Sequence, residues 1–183
     1  IHPDEPSASE LRARFERLRD RELLVAEGER YAFRHAILQR VTYDLMLFAQ
    51  RKELHARVAR ALETRSGTDD PALHPKLAHH WELAESRTRA VTYLDLAATE
   101  ALRQGAYDEA IRFVRRLQWL APEGRLGTGE DRVAKRLAIL GEAEMSTGAI
   151  RESRRSLESA LADLGEPLPV GSLGVFGRVL LET

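Results

Sequence analysis

Apolar and polar positions alternate in two different regimes along the chain, one before residue 70 and one after it. Near the start, Ser7 or Ser9 is placed to cap a helix, and Leu11, Phe15 and Leu18 then recur at i, i+4 and i+7 on one face. "LLVAEGERYAF" sets apolar residues on both sides of Glu27-Gly28-Glu29, which predicts a small hairpin with strands near Leu23 to Val25 and Tyr31 to Phe33. A helix beginning near Arg34 carries Ile37, Val41, Leu45 and Phe48 along one stripe. Another, from about Gln50 to Thr64, carries Leu54, Val58 and Leu62. "RSGTDDP", residues 65 to 71, reads as a linker.

Beyond Pro71 the pattern becomes alanine-rich helices punctuated by tight turns. "LDLAATEALRQGAYDEAIRFVRRLQWLAP" resembles a tetratricopeptide repeat: Leu94, Ala97 and Ala98 stand at first-helix positions, Gly105 at the turn, Ala110 and Val114 on the second helix, and Pro122 at the close. A second copy runs through Leu137, Leu140, Gly141, Gly148, Leu157 and Ala160, with Ser153 where alanine is usual, and "EGRLGTGEDR" reads as a loop inserted between the two. Small residues let paired helices approach, and each pair leaves an apolar face that the next pair covers. The expected fold is mainly α: an α-solenoid of tetratricopeptide-like helical hairpins preceded by a partial winged helix with a small two-stranded β-hairpin. The expected boundaries are 1–48 for the C-terminal part of a winged helix, 49–70 for a connecting helix and linker, and 71–183 for the repeats. Within the last, 71–104 is an irregular capping segment with a helix near Ala72 to Ala84, 90–122 and 131–165 are repeats, and 168–183 starts a further helix.

Composition narrows the partners. With 28 basic and 29 acidic residues the net charge is -1, so no global field favours nucleic acid, an anionic membrane or an acidic substrate. The absence of cysteine excludes disulfides, thiolate metal sites and cysteine nucleophiles. No apolar stretch approaches the roughly 20 residues that span a bilayer, and "IHPDEPSASE" has no basic or apolar leader, so a cytoplasmic location is expected. The chain starts on Ile1 rather than methionine and is read as a piece of a longer protein.

Candidate chemistry is sparse. Glycine directly precedes Ser172 in "PVGSLGVFG", which is no nucleophile elbow, and "GRLGTGED" lacks the Gly-Lys-Ser/Thr of a phosphate-gripping loop. His79 and His80 are adjacent, so on a helix they point about 100° apart and read as a solvated or packed pair rather than metal ligands. Asp108 and Glu109 suit the positive end of a helix dipole. Arg12, Arg14, Arg17 and Arg19 make the case for DNA, but Glu10, Glu16, Asp20 and Glu22 interleave with them and suit a salt-bridged solvated face.

"FRHAILQRVTYDLML", followed by "RKELHARVARALE", "LAHHWELA" and the alanine-rich repeats, resembles the region downstream of the ATPase core in bacterial STAND-type signalling proteins. In that group an AAA-like nucleotide-binding domain precedes a winged helix and tetratricopeptide repeats, beside a class III adenylate cyclase, a serine/threonine kinase or a LuxR-type DNA-binding domain. The resemblance places His35 on the histidine of a Met-His-Asp signature that contacts the β-phosphate of ADP, with Arg34 and Ala36 replacing its neighbours. It implies a non-catalytic regulatory segment with no cofactor or metal of its own, ATP or ADP being held by the upstream nucleotide-binding domain of the parent. His35 and Arg34 would contact that nucleotide. A protein or peptide would lie in the repeat groove near Thr99 to Arg103 and Glu142 to Met145, with Arg103 and Glu144 as orienting charges and Leu102 and Met145 as apolar contacts. The parent's own later repeats, or a second copy of the chain, are the alternative occupants of that groove. The competing functions are a free-standing interaction scaffold and a winged-helix DNA-binding regulator.

Overall fold

The computed structural model describes residues 7–28, 30–66, 70–122 and 130–166, and these fall into two units that divide after Arg51. The described residues are mainly helical, with one two-stranded antiparallel sheet. The division comes three residues later than the expected boundary at 48, inside a continuous helix.

In the amino-terminal unit, α1 (Ala8–Asp20) starts at a capping box. The Ser7 hydroxyl accepts the Glu10 N–H, and Glu10 accepts the Ser7 N–H at 2.8 Å. The chain reverses through Glu22 in a left-handed conformation (φ 58°) into β1 (Leu24–Glu27) and β2 (Arg30–Phe33), paired Leu24 to Phe33 through Glu27 to Arg30. Phe15 of α1 stacks on Tyr31 of β2 with ring centroids 4.9 Å apart, and the Tyr31 hydroxyl donates to Glu16 at 2.7 Å. That hydrogen bond to Glu16 comes first among the causes raising the tyrosine's pKa. Among the described residues of this unit only Leu24 is buried.

The expected stripe through Phe48 is corrected by the structure. α2 (Ala36–Leu45) ends at Met46, whose backbone is extended (φ -70°, ψ 138°), and α3 (Phe48–Ser66) begins two residues later. The break is fixed by the Gln50 side chain, which accepts the Leu47 N–H at 2.9 Å and caps α3 from within its first turn. Phe48 therefore opens α3 instead of closing α2.

The second unit starts at Lys52 within α3. A single 3₁₀ turn (Pro71–Leu73), capped by Asp70, leads into α4 (His74–Leu83), which is the expected helix near Ala72 to Ala84 trimmed by that turn. Two helical hairpins follow, α5 (Arg87–Arg103) with α6 (Tyr107–Leu120), and α7 (Glu130–Ser146) with α8 (Ile150–Asp163). Their helices match in length, 17 and 14 residues in each hairpin. Their turns match as well: Gly105 at φ 74° and Gly148 at φ 83°, each followed by an alanine whose N–H reaches back to a helix carbonyl. The α4–α5 turn has the same form but places Glu85 at φ 55°.

Small residues at the crossings make these hairpins possible. Ala59, Leu77, Ala90 and Leu117 are fully buried in one cluster with Trp81 and Leu94, and Ala98, Ala110, Val114, Leu140 and Ala143 form the next. Glu63 of α3 ties this unit together, accepting from Trp81 Nε1 and from the Tyr93 hydroxyl, both at 2.8 Å. Burial, aided by Glu63, pushes the Tyr93 phenol up to about 12. Ser153, which stands where alanine was expected, is 1% exposed and donates to the Gly141 carbonyl at 2.7 Å, so its hydroxyl is satisfied across the α7–α8 crossing.

Candidate functional site: a groove between α5 and α7

The core pattern of α5 decides which residues remain outside. Val91, Leu94, Ala97, Ala98 and Ala101 face inward, which leaves Thr92, Asp95, Leu96 and Thr99 along the side that meets α7. On α7 the corresponding residues are Arg132, Lys135, Arg136 and Ile139. Together they line a cavity of about 240 Å³.

Its floor is an ion pair. Arg136, 6% exposed, presents its guanidinium fork to Asp95, with Nε to Oδ1 and Nη2 to Oδ2 both at 2.6 Å. Two parallel charge-assisted bonds satisfy the buried guanidinium and fix the spacing of the helices. Thr92 and Thr99 donate their hydroxyl hydrogens to the carbonyls of Thr88 and Asp95, so towards the groove they offer only acceptor lone pairs. Leu96 is 42% exposed, and Ile139 is buried behind the cavity. Arg132 and Lys135 are exposed, one turn apart on α7.

The residues expected from sequence to border this groove divide. Thr99 lines it. Arg103 lies one turn beyond Thr99 on the same face and is exposed, but Glu100 chelates it at 2.8 and 2.6 Å. That carboxyl is held down to about 2, first by its hydrogen bond to Arg103. Leu102 is half-buried, packed against the second core cluster rather than facing the cavity. Met145 is exposed but falls outside the cavity lining. Glu144 requires a correction: it is 4% exposed, accepts the Ser156 hydroxyl at 2.8 Å and pairs with Arg115 at 3.5 Å, and so cannot serve as a rim charge. Glu144 follows the groove residue Ile139 by five positions, a rotation of about 140° about α7, which is why position 144 meets α6 and α8 instead.

His35 occupies the N-cap of α2 with extended backbone (φ -130°, ψ 132°), is exposed, and makes no side-chain capping bond. Its imidazole is therefore not consumed in ending the helix. Arg34 beside it is 46% exposed, its guanidinium 3.9 Å from Glu22. Asp108 and Glu109 stand in the first turn of α6. On α1, Arg19 is held by Glu16 and Asp20, as a salt-bridged face requires. Ser172 and the glycines of "GRLGTGED" lie outside the described residues.

A histidine cluster that the sequence spacing did not reveal lies between α3 and α4. Nδ1 of His55 and Nδ1 of His80 are 2.9 Å apart, and the exposed His79 ring stands edge-on to both. Burial, followed by the neighbouring imidazoles, lowers the pKa of His55 and His80. Among the described residues no group of three or more His, Asp or Glu side chains is placed to hold a metal ion, and no described helix is long and apolar enough to cross a membrane. Compared with protein-family models, with curated proteins and with solved structures, the chain matches none of them.

Proposed function

We propose that the chain is a non-catalytic regulatory segment of a nucleotide-switched signalling protein. Its tetratricopeptide-like hairpins receive a protein or peptide partner, and its wing-bearing unit relays the state of an ATP- or ADP-holding domain of the parent. The observation that carries the reading is the groove between α5 and α7, the first helices of two hairpins that repeat the same lengths and the same turn. Such a surface, rigid beneath and open above, suits an extended or helical segment of another chain. The nucleotide relay is supported by His35 and Arg34, exposed at a helix N-terminus whose free N–H groups and partial positive charge favour an anion. Binding in the groove would shift the closed and open populations of the parent.

A displayed library of random peptides selected against the chain tests the docking reading, the bound position being read by amide hydrogen exchange. Protection should appear over Thr92 to Thr99 and Arg132 to Ile139. If selected peptides protect other segments only, the groove is not the receiving surface. For the relay, His35→Ala in the parent protein should speed ADP release, and an unchanged release rate would reduce His35 to a surface residue.

A further inference from the structure

The groove carries a local charge opposite to that of the whole chain. Against a net charge of -1 overall, its lining holds three cations, Arg132, Lys135 and Arg136, and among the described lining residues one carboxylate, Asp95. Asp95 and Arg136 neutralise each other on the floor at 2.6 Å, which leaves Arg132 and Lys135 facing the entrance. Several other arginines of this unit are paired with carboxylates: Arg103 with Glu100, Arg112 with Glu109, Arg116 with Glu82 and Arg154 with Glu158.

Size and polarity restrict the occupant further. About 240 Å³ is below the roughly 300–1,000 Å³ of pockets that enclose a whole small molecule, so the cavity admits one or two side chains of a longer ligand. Leu96 at 42% exposure, with Ile139 behind it, offers those side chains an apolar seat. The threonine hydroxyls add acceptors for a backbone N–H.

Resting on the docking reading above, we propose that the partner is an acidic, leucine-bearing segment of another protein, its aliphatic side chain seated on Leu96 and its carboxylates on Arg132 and Lys135. Rim charges of this kind set orientation and approach rate, and their contribution fades with salt because water screens them. A basic segment is repelled, and a neutral one gains only the apolar seat.

The test uses the full chain and a fluorescein-labelled peptide alternating leucine with glutamate, with its leucine–glutamine counterpart and inorganic phosphate as comparison probes. Fluorescence anisotropy should show the glutamate peptide binding at least about tenfold more tightly than the glutamine peptide, with affinity falling as salt rises. Arg132→Glu/Lys135→Glu should remove that preference. Both positions are exposed, so circular dichroism should show the fold intact. Leu96→Ala should weaken both peptides and keep the preference.

If the glutamine peptide binds equally well and Leu96→Ala weakens both, the acidic class is wrong while the docking groove survives. If neither peptide binds, the proposal fails. Inorganic phosphate displacing the glutamate peptide at equal concentration would overturn it in favour of a small-anion site. Self-association of the chain that is lost in Arg132→Glu/Lys135→Glu, without peptide binding, would identify a second copy as the occupant instead.

Discussion

Replacing Asp95 by alanine isolates the ion pair on which the groove is built. In the folded chain Asp95 supplies both acceptors for the Arg136 fork at 2.6 Å, and the arginine side chain is 7% exposed against 26% for the aspartate. Removing one partner of a fully buried pair costs about 3–5 kcal/mol, because the remaining charge is stranded away from water. Here the aspartate opens on the groove and water can follow the truncated side chain, so about 2–3 kcal/mol is expected. Both tryptophans of the chain, Trp81 and Trp119, belong to the second unit, so urea unfolding followed by tryptophan fluorescence reports that unit. The midpoint should fall in Asp95→Ala with the slope unchanged. Replacing both partners, Asp95→Leu with Arg136→Met, removes the stranded charge and should lie closer to wild type than Asp95→Ala does, a coupling of about 1–3 kcal/mol. If Asp95→Ala costs less than about 0.5 kcal/mol, the pair behaves as a surface ion pair and cannot be what sets the α5–α7 spacing.

Other perturbations test other joints of the molecule. Ala110 is 0% exposed between α5, α6 and α7, so Ala110→Glu should cost several kcal/mol, on the order of other unpaired buried charges, and an unmoved melting temperature would contradict that packing. Glu85→Gly should stabilise by about 0.5–1 kcal/mol by relieving a left-handed non-glycine residue, the exposed Lys52 bridge lost with it being of little weight; a lower urea midpoint would reverse that ranking. His55 and His80 have lowered pKa values in the folded state, chiefly through burial, so the unfolded chain takes up protons first. Stability should be fully present above about pH 6.5, where unfolded histidine titrates, and decline as pH falls below it. His80→Gln should flatten that decline, whereas an equal slope in the variant would assign it to other groups. Glu100, held at about 2, loses its contribution only at far lower pH and leaves the histidine window clear.

Local signals carried most of the architecture. A capping serine, Ser7 or Ser9, announces α1, Gly28 the hairpin, and Gly105 and Gly148 the two helical turns, because each of these residue types has a backbone or side-chain role that acts within a few positions. Where a turn was built from unusual residues the sequence was silent. Glu85 does the work of a glycine, and Gln50 caps α3 by reaching back to Leu47, so neither end of those helices could be placed from composition. The site was legible only in outline. That the first helices of the hairpins would border a groove followed from the repeat pattern, but which residues do so depends on rotation about each helix. Its charge and its place on the first helix of a hairpin suggest Glu144, whereas its rotation about α7 buries it against Ser156 and Arg115. Asp95 and Arg136 are separated by 41 residues, and His55 and His80 by 25, and neither pair has a spacing that a single helix or turn would produce.

The repetition of the hairpins has a kinetic consequence. An array in which each element packs chiefly on its neighbours opens from its least anchored end, and its segments carry different opening free energies. α5 buries seven residues, including Val91, Tyr93 and Leu94, while α8 buries Ser153 and Ala160. Amide protons of α8 should therefore exchange with solvent through fraying of that helix alone, at denaturant concentrations that leave α5 protected, so that the second unit loosens as a graded zipper from α8 inward instead of as one block.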